Sequence, residues 1–211
     1  MSIADLRRDY RAQALTESDA HHDPILQFRQ WLDDAVLAEL LDATAMTLAT
    51  ASPDGVPAAR VVLLKDVSAD GFVFFTNYES AKAAQLEANP RACLVFFWAD
   101  LERQVRVTGT ATRVAAAASD DYFASRPLDS QIGAWASPQS RVIPSRDVLE
   151  QAIVQNAARF AEGPVPRPPQ WGGYAVAPET IEFWQGRPNR VHDRLRYRRA
   201  GAAWAIDRLA P

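Results

Sequence analysis

The sequence predicts a mainly β domain in which antiparallel strands close into a barrel or a sandwich, with helices inserted between the strands. Three observations predict it. Apolar runs rich in β-branched and aromatic residues recur at short intervals from residue 45 onward, separated by turn sequences such as Ser52-Pro53-Asp54-Gly55 and Ser68-Ala69-Asp70-Gly71. Connections this short permit only antiparallel neighbours, because parallel pairs need long crossovers. About eight or nine such strands in one unit favour a closed or double-layered sheet, which hides strand edges. The chain has 211 residues, 48% apolar and 23% charged, which is enough for one good-sized core of ordinary composition.

Taken in order, residues 4–12 are expected to form a short helix within a mobile N-terminal arm, residues 1–22, able to cover a site. Asp23-Pro24 starts the first full helix, since aspartate accepts from a free N–H of the first turn and proline has none to satisfy. Ile25, Phe28, Trp31, Leu32, Val36 and Leu40 follow at helical spacing and define its packing side. Strands are expected over 45–51, 58–65 and 71–76, and Pro57 is tolerated only at a strand start. Ser80 caps a helix that Asn89-Pro90 ends, and strands follow over 91–98 and 103–114. In the latter, Gln104, Arg106 and Thr108 share one face and Val105 and Val107 the other. Helices over 115–125 and 130–136 are separated by Arg126-Pro127, because a residue before proline avoids the α region. Ser145 caps a helix with Leu149, Ile153, Ala157 and Phe160 along one side. A rigid proline-rich connection over 163–169 leads to strands at 171–176, 181–185, 194–198 and 202–207.

Charge and cysteine content exclude several function classes. Lys plus Arg is 23 and Asp plus Glu is 26, so the net charge is 23 − 26 = −3. A general nucleic-acid binder would carry a basic excess; local arginine clusters in a mildly acidic chain point instead to small anionic ligands. Cys93 lies in an apolar run and is expected to be a small buried hydrophobe. A single cysteine forms no internal disulfide and no cysteine-rich zinc site, and His21 and His22 have no neighbouring ligands, so no metal is expected. No run approaches the roughly 20 apolar residues of a membrane span, and the first residues show no apolar signal core, so a soluble cytoplasmic protein is expected. The common nucleotide, zinc-protease and serine-hydrolase motifs are missing.

The candidate chemistry lies in basic groups at strand ends and helix starts. Arg190-Val191-His192-Asp193-Arg194 follows the aromatic pair Phe183-Trp184. Such a run can hold an anion or steer a proton, although a solvated loop carries the same charges. Arg60 and Lys65 bracket the strand Val61-Val62-Leu63-Leu64; regular alternation sends them to opposite faces, so a shared ligand needs a bulge or a strand end between them. Ser80 and Lys82 stand at a helix start, where free N–H groups and the helix dipole favour phosphate, and Thr76 adds a hydroxyl. Tyr122 and Arg126 are one helical turn apart and Ser130 opens the next helix, which together make a second phosphate pocket. Gln104, Gln139 and Ser140 suit the edge of a flat heterocycle, and Trp184 offers it a wall. Two phosphates and a planar ring system are therefore expected.

The same stretches resemble the pyridoxine (pyridoxamine) 5′-phosphate oxidase family of FMN-dependent flavoproteins. The matching segments include Arg60-Val61-Val62-Leu63-Leu64-Lys65, Phe75-Thr76-Asn77, Leu101-Glu102-Arg103-Gln104-Val105, the S-R-P-x-D-S-Q-I-G-A-W run at 125–135, Glu182-Phe183-Trp184-Gln185-Gly186, the R-x-H-D-R run at 190–194 and the ending at 204–211. They span nearly the whole chain, and the two runs in one-letter form are highly specific. The resemblance implies an FMN-binding split barrel over residues 23–211, working as a homodimer with FMN at the subunit interface. It implies that FMN is held by Arg60, Val61, Val62, Leu63, Leu64, Lys65, Phe75, Thr76, Lys82, Gln104, Gln139, Ser140, Trp184 and Arg194. It implies a substrate phosphate on Lys65, Tyr122, Arg126 and Ser130, with Arg190, Val191 and His192 against the pyridine ring and Arg7, Arg8, Asp9 and Tyr10 closing over it.

The reaction implied is oxidation of pyridoxine or pyridoxamine 5′-phosphate at C4′ to pyridoxal 5′-phosphate, with O₂ as acceptor and H₂O₂ released. Arg190 is the first choice of catalytic residue and His192 the second; Asp42 matches an acidic position of the family. Two departures stand out. Ala81 replaces an arginine usual before Lys82, which implies weaker FMN retention, and Phe75 replaces a tyrosine, which matters little if only its backbone meets the flavin. The rivals are a related split-barrel flavoprotein with another substrate or a deazaflavin, and a non-catalytic carrier of pyridoxal phosphate. The Tyr122/Arg126/Ser130 and Arg190/His192 sets argue against the first; flavin colour and peroxide formation separate the second.

Overall fold

Nine antiparallel strands form one curled sheet in the computed structural model, which describes residues 2, 3, 10 and 14–211. The helix expected over 4–12, with Arg7, Arg8 and Asp9, lies outside the described residues. The strands are β1 (Ala45–Ala51), β2 (Pro57–Leu63), β3 (Asp66–Ser68), β4 (Gly71–Asn77), β5 (Arg91–Trp98), β6 (Arg103–Arg113), β7 (Trp171–Gln185), β8 (Asp193–Ala200) and β9 (Ala203–Arg208). Their order is β2-β1-β5-β6-β7-β4-β3, with β8 and β9 continuing from β7. β7 serves two neighbours along one edge: residues 171–176 pair with β4 and residues 180–185 with β8.

The two strands expected at 171–176 and 181–185 are thus one. Pro178 interrupts a regular ladder, but the register with β6 shifts between Thr108 and Gly109, and this bulge absorbs it. Gly109 is required there, because a Cβ would lie 2.0 Å from the Ala177 carbonyl oxygen.

Five helices are inserted as expected: α1 (Pro24–Leu37), α2 (Ala81–Ala88), α3 (Ala116–Ala124), α4 (Leu128–Ala136) and α5 (Arg146–Arg159). Asp23 and Ser80 cap α1 and α2, accepting from the Ile25 and Ala83 N–H groups. Ser145 stands at the N-cap position of α5 but makes no capping bond. α1 fills the concave face of the sheet. Phe28 meets Phe72 and Phe96 edge-on, each at 4.8 Å, and Trp31 meets Phe183 at 5.2 Å. Val36, expected on the packing side, is exposed, and Leu40 lies beyond the helix end. α5 buries no residue; Leu149 and Phe160 are half-buried, while Ile153 and Ala157 face outward.

Strand alternation puts a second apolar surface on the convex side. Ala59, Val61 and Leu63 of β2, Thr47 and Ala49 of β1, and Cys93, Val95 and Phe97 of β5 share it. Cys93 is therefore half-buried rather than a core residue. Val61 is 68% exposed and Phe97 59%. A sheet with apolar side chains on both faces requires a further layer on the second one. Residues 14–22 pack against the last strands: the Leu15 N–H donates to Asp193 at 3.1 Å, and the Tyr197 hydroxyl to the His21 carbonyl at 2.7 Å.

Candidate active site

A cavity of about 640 Å³ opens between β2, β4 and helices α2 to α4. Val61, Val62, Leu63, Lys65, Phe75, Thr76, Lys82 and Gln139, expected around FMN, line it, and so do Tyr122, Arg126 and Ser130, expected around the substrate phosphate. Lys65 reaches it because β2 ends at Leu63, which frees Lys65 from strand alternation. Lys82, in the first turn of α2, donates from Nζ to Gln139 Oε1 at 2.8 Å, Thr76 Oγ1 at 3.1 Å and Ser80 Oγ at 3.3 Å. Burial pushes its ammonium pKa down, and the charge of Arg60 adds to that. Arg60 does not line the cavity. Its guanidinium lies between β1 and α2, giving hydrogen bonds to the Leu48 carbonyl, Thr50 and Gln85, and burial lowers its pKa too.

At the other end of the cavity Tyr122 stacks on Phe75 at 4.1 Å, and Phe75 stacks on Trp171 at 5.3 Å. Arg126 lies 4.8 Å over the Trp171 ring; its Nη1 is buried with no hydrogen-bond partner, and burial lowers its pKa. Among the described residues, Lys82, Arg60 and Arg126 have no carboxylate partner. Many arginines elsewhere do: Arg91 pairs with Glu179, Arg103 with Asp34 and Arg208 with Asp193. Buried cations left unpaired are costly, and a site that keeps several together is complementary to an anion. The orphaned Arg126 donor and the neutral cradle around Lys82 therefore fit the two phosphates of a flavin mononucleotide and a phosphorylated substrate. Three expected residues stand apart: Leu64 is in the core, Ser140 is exposed in a left-handed conformation (φ 70°) beside Gln139, and Asp42 is exposed outside the cavity lining.

The remaining expected residues gather elsewhere. Gln104, Trp184 and Arg194 form one row across β6, β7 and β8. The Trp184 ring lies 4.7 Å from His192, and the Tyr10 ring packs edge-on against both, at 5.6 and 5.4 Å. His192 Nδ1 accepts the Arg187 backbone N–H at 3.1 Å, which fixes the neutral tautomer with its proton on Nε2. Burial, and secondarily the charge of Arg190, hold the His192 pKa below its usual value. Arg190 and Asn189 both adopt left-handed backbone (φ 61° and 56°), a strained pair that leaves Arg190 exposed beside exposed Val191. Arg194 is paired with Glu182 at 2.8 Å, a carboxylate it shares with Arg106.

The two groups do not meet on one chain. From Leu63 on β2 to Trp184 on β7 the sheet crosses β1, β5 and β6. Four strand spacings amount to roughly 19 Å, and the exposed Phe97 lies in between. Thr50, Gln85 and Trp171, which complete the cavity's surroundings, carry no sequence signal beyond their place in a helix or strand.

Comparison with known proteins fits this geometry. Residues 32–159 match the family model described as pyridoxamine 5′-phosphate oxidase, and residues 171–211 that described as the pyridoxine 5′-phosphate oxidase C-terminal dimerisation region. A protein of Thermosynechococcus vestitus named pyridoxine/pyridoxamine 5′-phosphate oxidase is 61% identical over 209 residues, 99% of each chain. One of Cupriavidus taiwanensis with the same name is 56% identical over 210 residues, again 99% of each. Among solved structures, PhzG from Burkholderia lata, in complex with tetrahydrophenazine-1-carboxylic acid, has a TM-score of 0.89 at 29% identity, covering 95% of this chain and 99% of that one. A pyridoxamine 5′-phosphate oxidase-related, FMN-binding protein from Nostoc punctiforme shares the fold with a TM-score of 0.71 at 20% identity, covering 87% and 97%. The curled sheet with its cavity is a split barrel of the FMN-binding flavoprotein class. Within that class the chain belongs to the pyridoxine/pyridoxamine 5′-phosphate oxidase family, and it carries that family's dimerisation region.

Proposed function

We propose that two copies of this chain build each active site jointly, the cavity of one facing the Trp184–His192 group of the other. As a member of its family the chain is an FMN-dependent oxidoreductase that forms a homodimer. It oxidises pyridoxine and pyridoxamine 5′-phosphate to pyridoxal 5′-phosphate, with O₂ as acceptor and H₂O₂ as by-product. The separation of the two groups supports the shared site, because no single chain closes both on one ligand. The apolar convex face that joins them offers a self-complementary surface for a two-fold dimer.

FMN, once bound, would supply the redox chemistry, accepting a hydride equivalent from C4′ and being reoxidised by O₂. In this reading the chain's own residues supply position and charge. Lys82, Thr76 and Gln139 hold the cofactor phosphate, with Arg60 adding its charge from behind Lys82, Val61 to Leu63 and Phe75 wall its ring, and Ser140 and Leu64 contribute backbone. Gln104, Trp184 and Arg194 complete its surroundings from the other subunit. Lys65, Tyr122, Arg126 and Ser130 hold the substrate phosphate, with Arg126 Nη1 giving its unused hydrogen bond. Neutral His192 donates from Nε2 to the substrate ring, and the Arg190 guanidinium orients that ring and offsets charge developing at C4′. Val191 borders the ring, Tyr10 covers it, and Arg7, Arg8 and Asp9 remain substrate-binding residues in this reading, on the strength of the family resemblance alone. A cytoplasmic location belongs to this reading, supported by the unpaired Cys93 thiol.

Subunit mixing tests it. A Lys65→Met/Arg126→Met double variant and an Arg190→Leu variant are each expected to be nearly inactive. Unfolded together and refolded, half the dimers are mixed, and one of the two sites in each is intact. Activity should return to about a quarter of the wild-type value. No recovery in dimers shown to be mixed would place each site within one subunit and overturn the proposal.

A further inference from the structure

We propose that Gln85 and Thr50 are positioning residues for the cofactor phosphate, holding Arg60 beside Lys82 through neutral acceptors so that both charges stay available to the anion. This rests on the reading above that the FMN phosphate sits at Lys82. Gln85 Oε1 accepts from Thr50 Oγ1 at 2.6 Å and from Arg60 Nη2 at 3.2 Å. Arg60 Nη1 donates to Thr50 Oγ1 at 2.7 Å and to the Leu48 carbonyl at 3.1 Å. Thr50 is 3% exposed, so the network is locked into the wall between β1 and α2. Lys82, held by Thr76, Ser80 and Gln139, is likewise ringed by neutral groups.

A carboxylate at position 85 would bind Arg60 more strongly than the amide does, since charge-assisted hydrogen bonds are about twice as strong as neutral ones. The same helix shows what a carboxylate does. Glu87, two residues on, takes the Arg113 guanidinium at 2.8 Å and the Tyr174 hydroxyl at 2.6 Å, and it ties α2 to β6 and β7. Stability alone would favour glutamate at 85 as well. The amide there fixes the geometry of Arg60 without cancelling its charge. That counts for more here because Ala81 brings no third cation to the turn.

The test separates cofactor affinity from stability. FMN dissociation constants of the apoproteins, read from quenching of flavin fluorescence, are compared with apoprotein melting temperatures. Gln85→Glu should bind FMN roughly ten- to a hundredfold more weakly, as expected for a carboxylate that pairs with Arg60 and cancels its charge beside Lys82, while melting no lower than wild type. Thr50→Val should lose several-fold in affinity and Thr50→Ser should restore it. With FMN saturating, KM for pyridoxine 5′-phosphate should stay at the wild-type value. Lys82→Met reports on the underlying reading: unchanged FMN affinity there would remove that reading and this proposal with it. A loss in Lys82→Met with no loss in Gln85→Glu would overturn the positioning role alone. A Gln85→Glu affinity loss that merely tracks a lower melting temperature would also overturn it, leaving Gln85 a structural residue.

Discussion

The cavity walls and the C-terminal group treat their arginines in opposite ways. In the cavity, Arg126 keeps a buried donor without a partner and Lys82 is ringed by neutral oxygens. Beside Trp184, Arg194 is already held by Glu182 and Arg187 by Asp193. The first region is built to take negative charge from a ligand. The second presents flat rings and a neutral imidazole, with the exposed Arg190 as the one cation of that group that makes no hydrogen bond or ion pair among the described residues. In the proposed reading the first region supplies affinity and the second chemistry, and their separation across the sheet is why two copies would share a site.

The largest expected effect tests that division at Arg190. Arg190→Leu should lower kcat by roughly a hundredfold or more, the usual loss when a group aimed at developing charge is removed, with the FMN dissociation constant unchanged. Stopped-flow reduction of bound FMN by pyridoxine 5′-phosphate measures the first and fluorescence quenching the second. If FMN is lost as well, the two regions do not have separate tasks. Arg126→Met should act the other way. Its kcat/KM for pyridoxamine 5′-phosphate should fall by roughly ten- to a hundredfold, a charge-assisted hydrogen bond's worth, with kcat at saturation nearly kept. Because it removes a buried unpaired charge, the ligand-free variant should melt no lower than wild type. A lower melting temperature would mean that Arg126 serves the fold rather than the anion.

The same contrast shows what a sequence can reveal. The cavity's anion-binding groups were legible because their signals are local. Ser80 is a helix cap with Lys82 in the first turn after it, and Tyr122 and Arg126 are one turn apart on α3 and just beyond its end. Whether Lys65 and Arg60 share a ligand depended on where β2 ends, which alternation does not tell. That the expected residues fall into two groups was not legible, since it follows from the order β2-β1-β5-β6-β7, a set of non-local pairings. The resemblance to a known family supplied it as a dimer. Pro178 hid the continuity of β7, because the bulge that accommodates it depends on Gly109 of another strand. Cys93 of β5 read as a small buried hydrophobe, and Leu149, Ile153, Ala157 and Phe160 of α5 as one apolar side. Periodicity marks apolar positions without saying whether this chain or another covers them. Gln85 left no mark, because a glutamine on a short helix reads as a solvated side chain until its partners are seen.

The smallest expected effect is a shift in pH dependence, and it tests how the C-terminal group keeps His192 neutral. The ordinary histidine value is 6.5, and in the folded chain His192 lies below it, through burial first and the Arg190 charge second. Protonation would place a hydrogen on Nδ1, where the Arg187 N–H is now accepted. Since the folded value is depressed, what His192 adds is present in full above the ordinary histidine value and is lost as pH falls through the lower, folded one. Activity that needs neutral His192 should therefore hold as pH drops to 6.5 and fail only below it. Arg190→Gln removes the smaller of the two causes, so its acid limb should move up in pH toward the ordinary value without reaching it. Arg190→Lys keeps the charge and should leave the limb in place. Of the charges close in sequence, Arg187 and Asp193 are paired with each other, Asp193 also with Arg208, and Arg194 with Glu182, so they change little between these variants. Profiles of kcat/KM from about pH 5 to 8, with FMN saturating, measure the limb. A downward shift in Arg190→Gln, or an unchanged limb in His192→Asn, would show that some other group titrates and that the neutral imidazole is not what this region contributes.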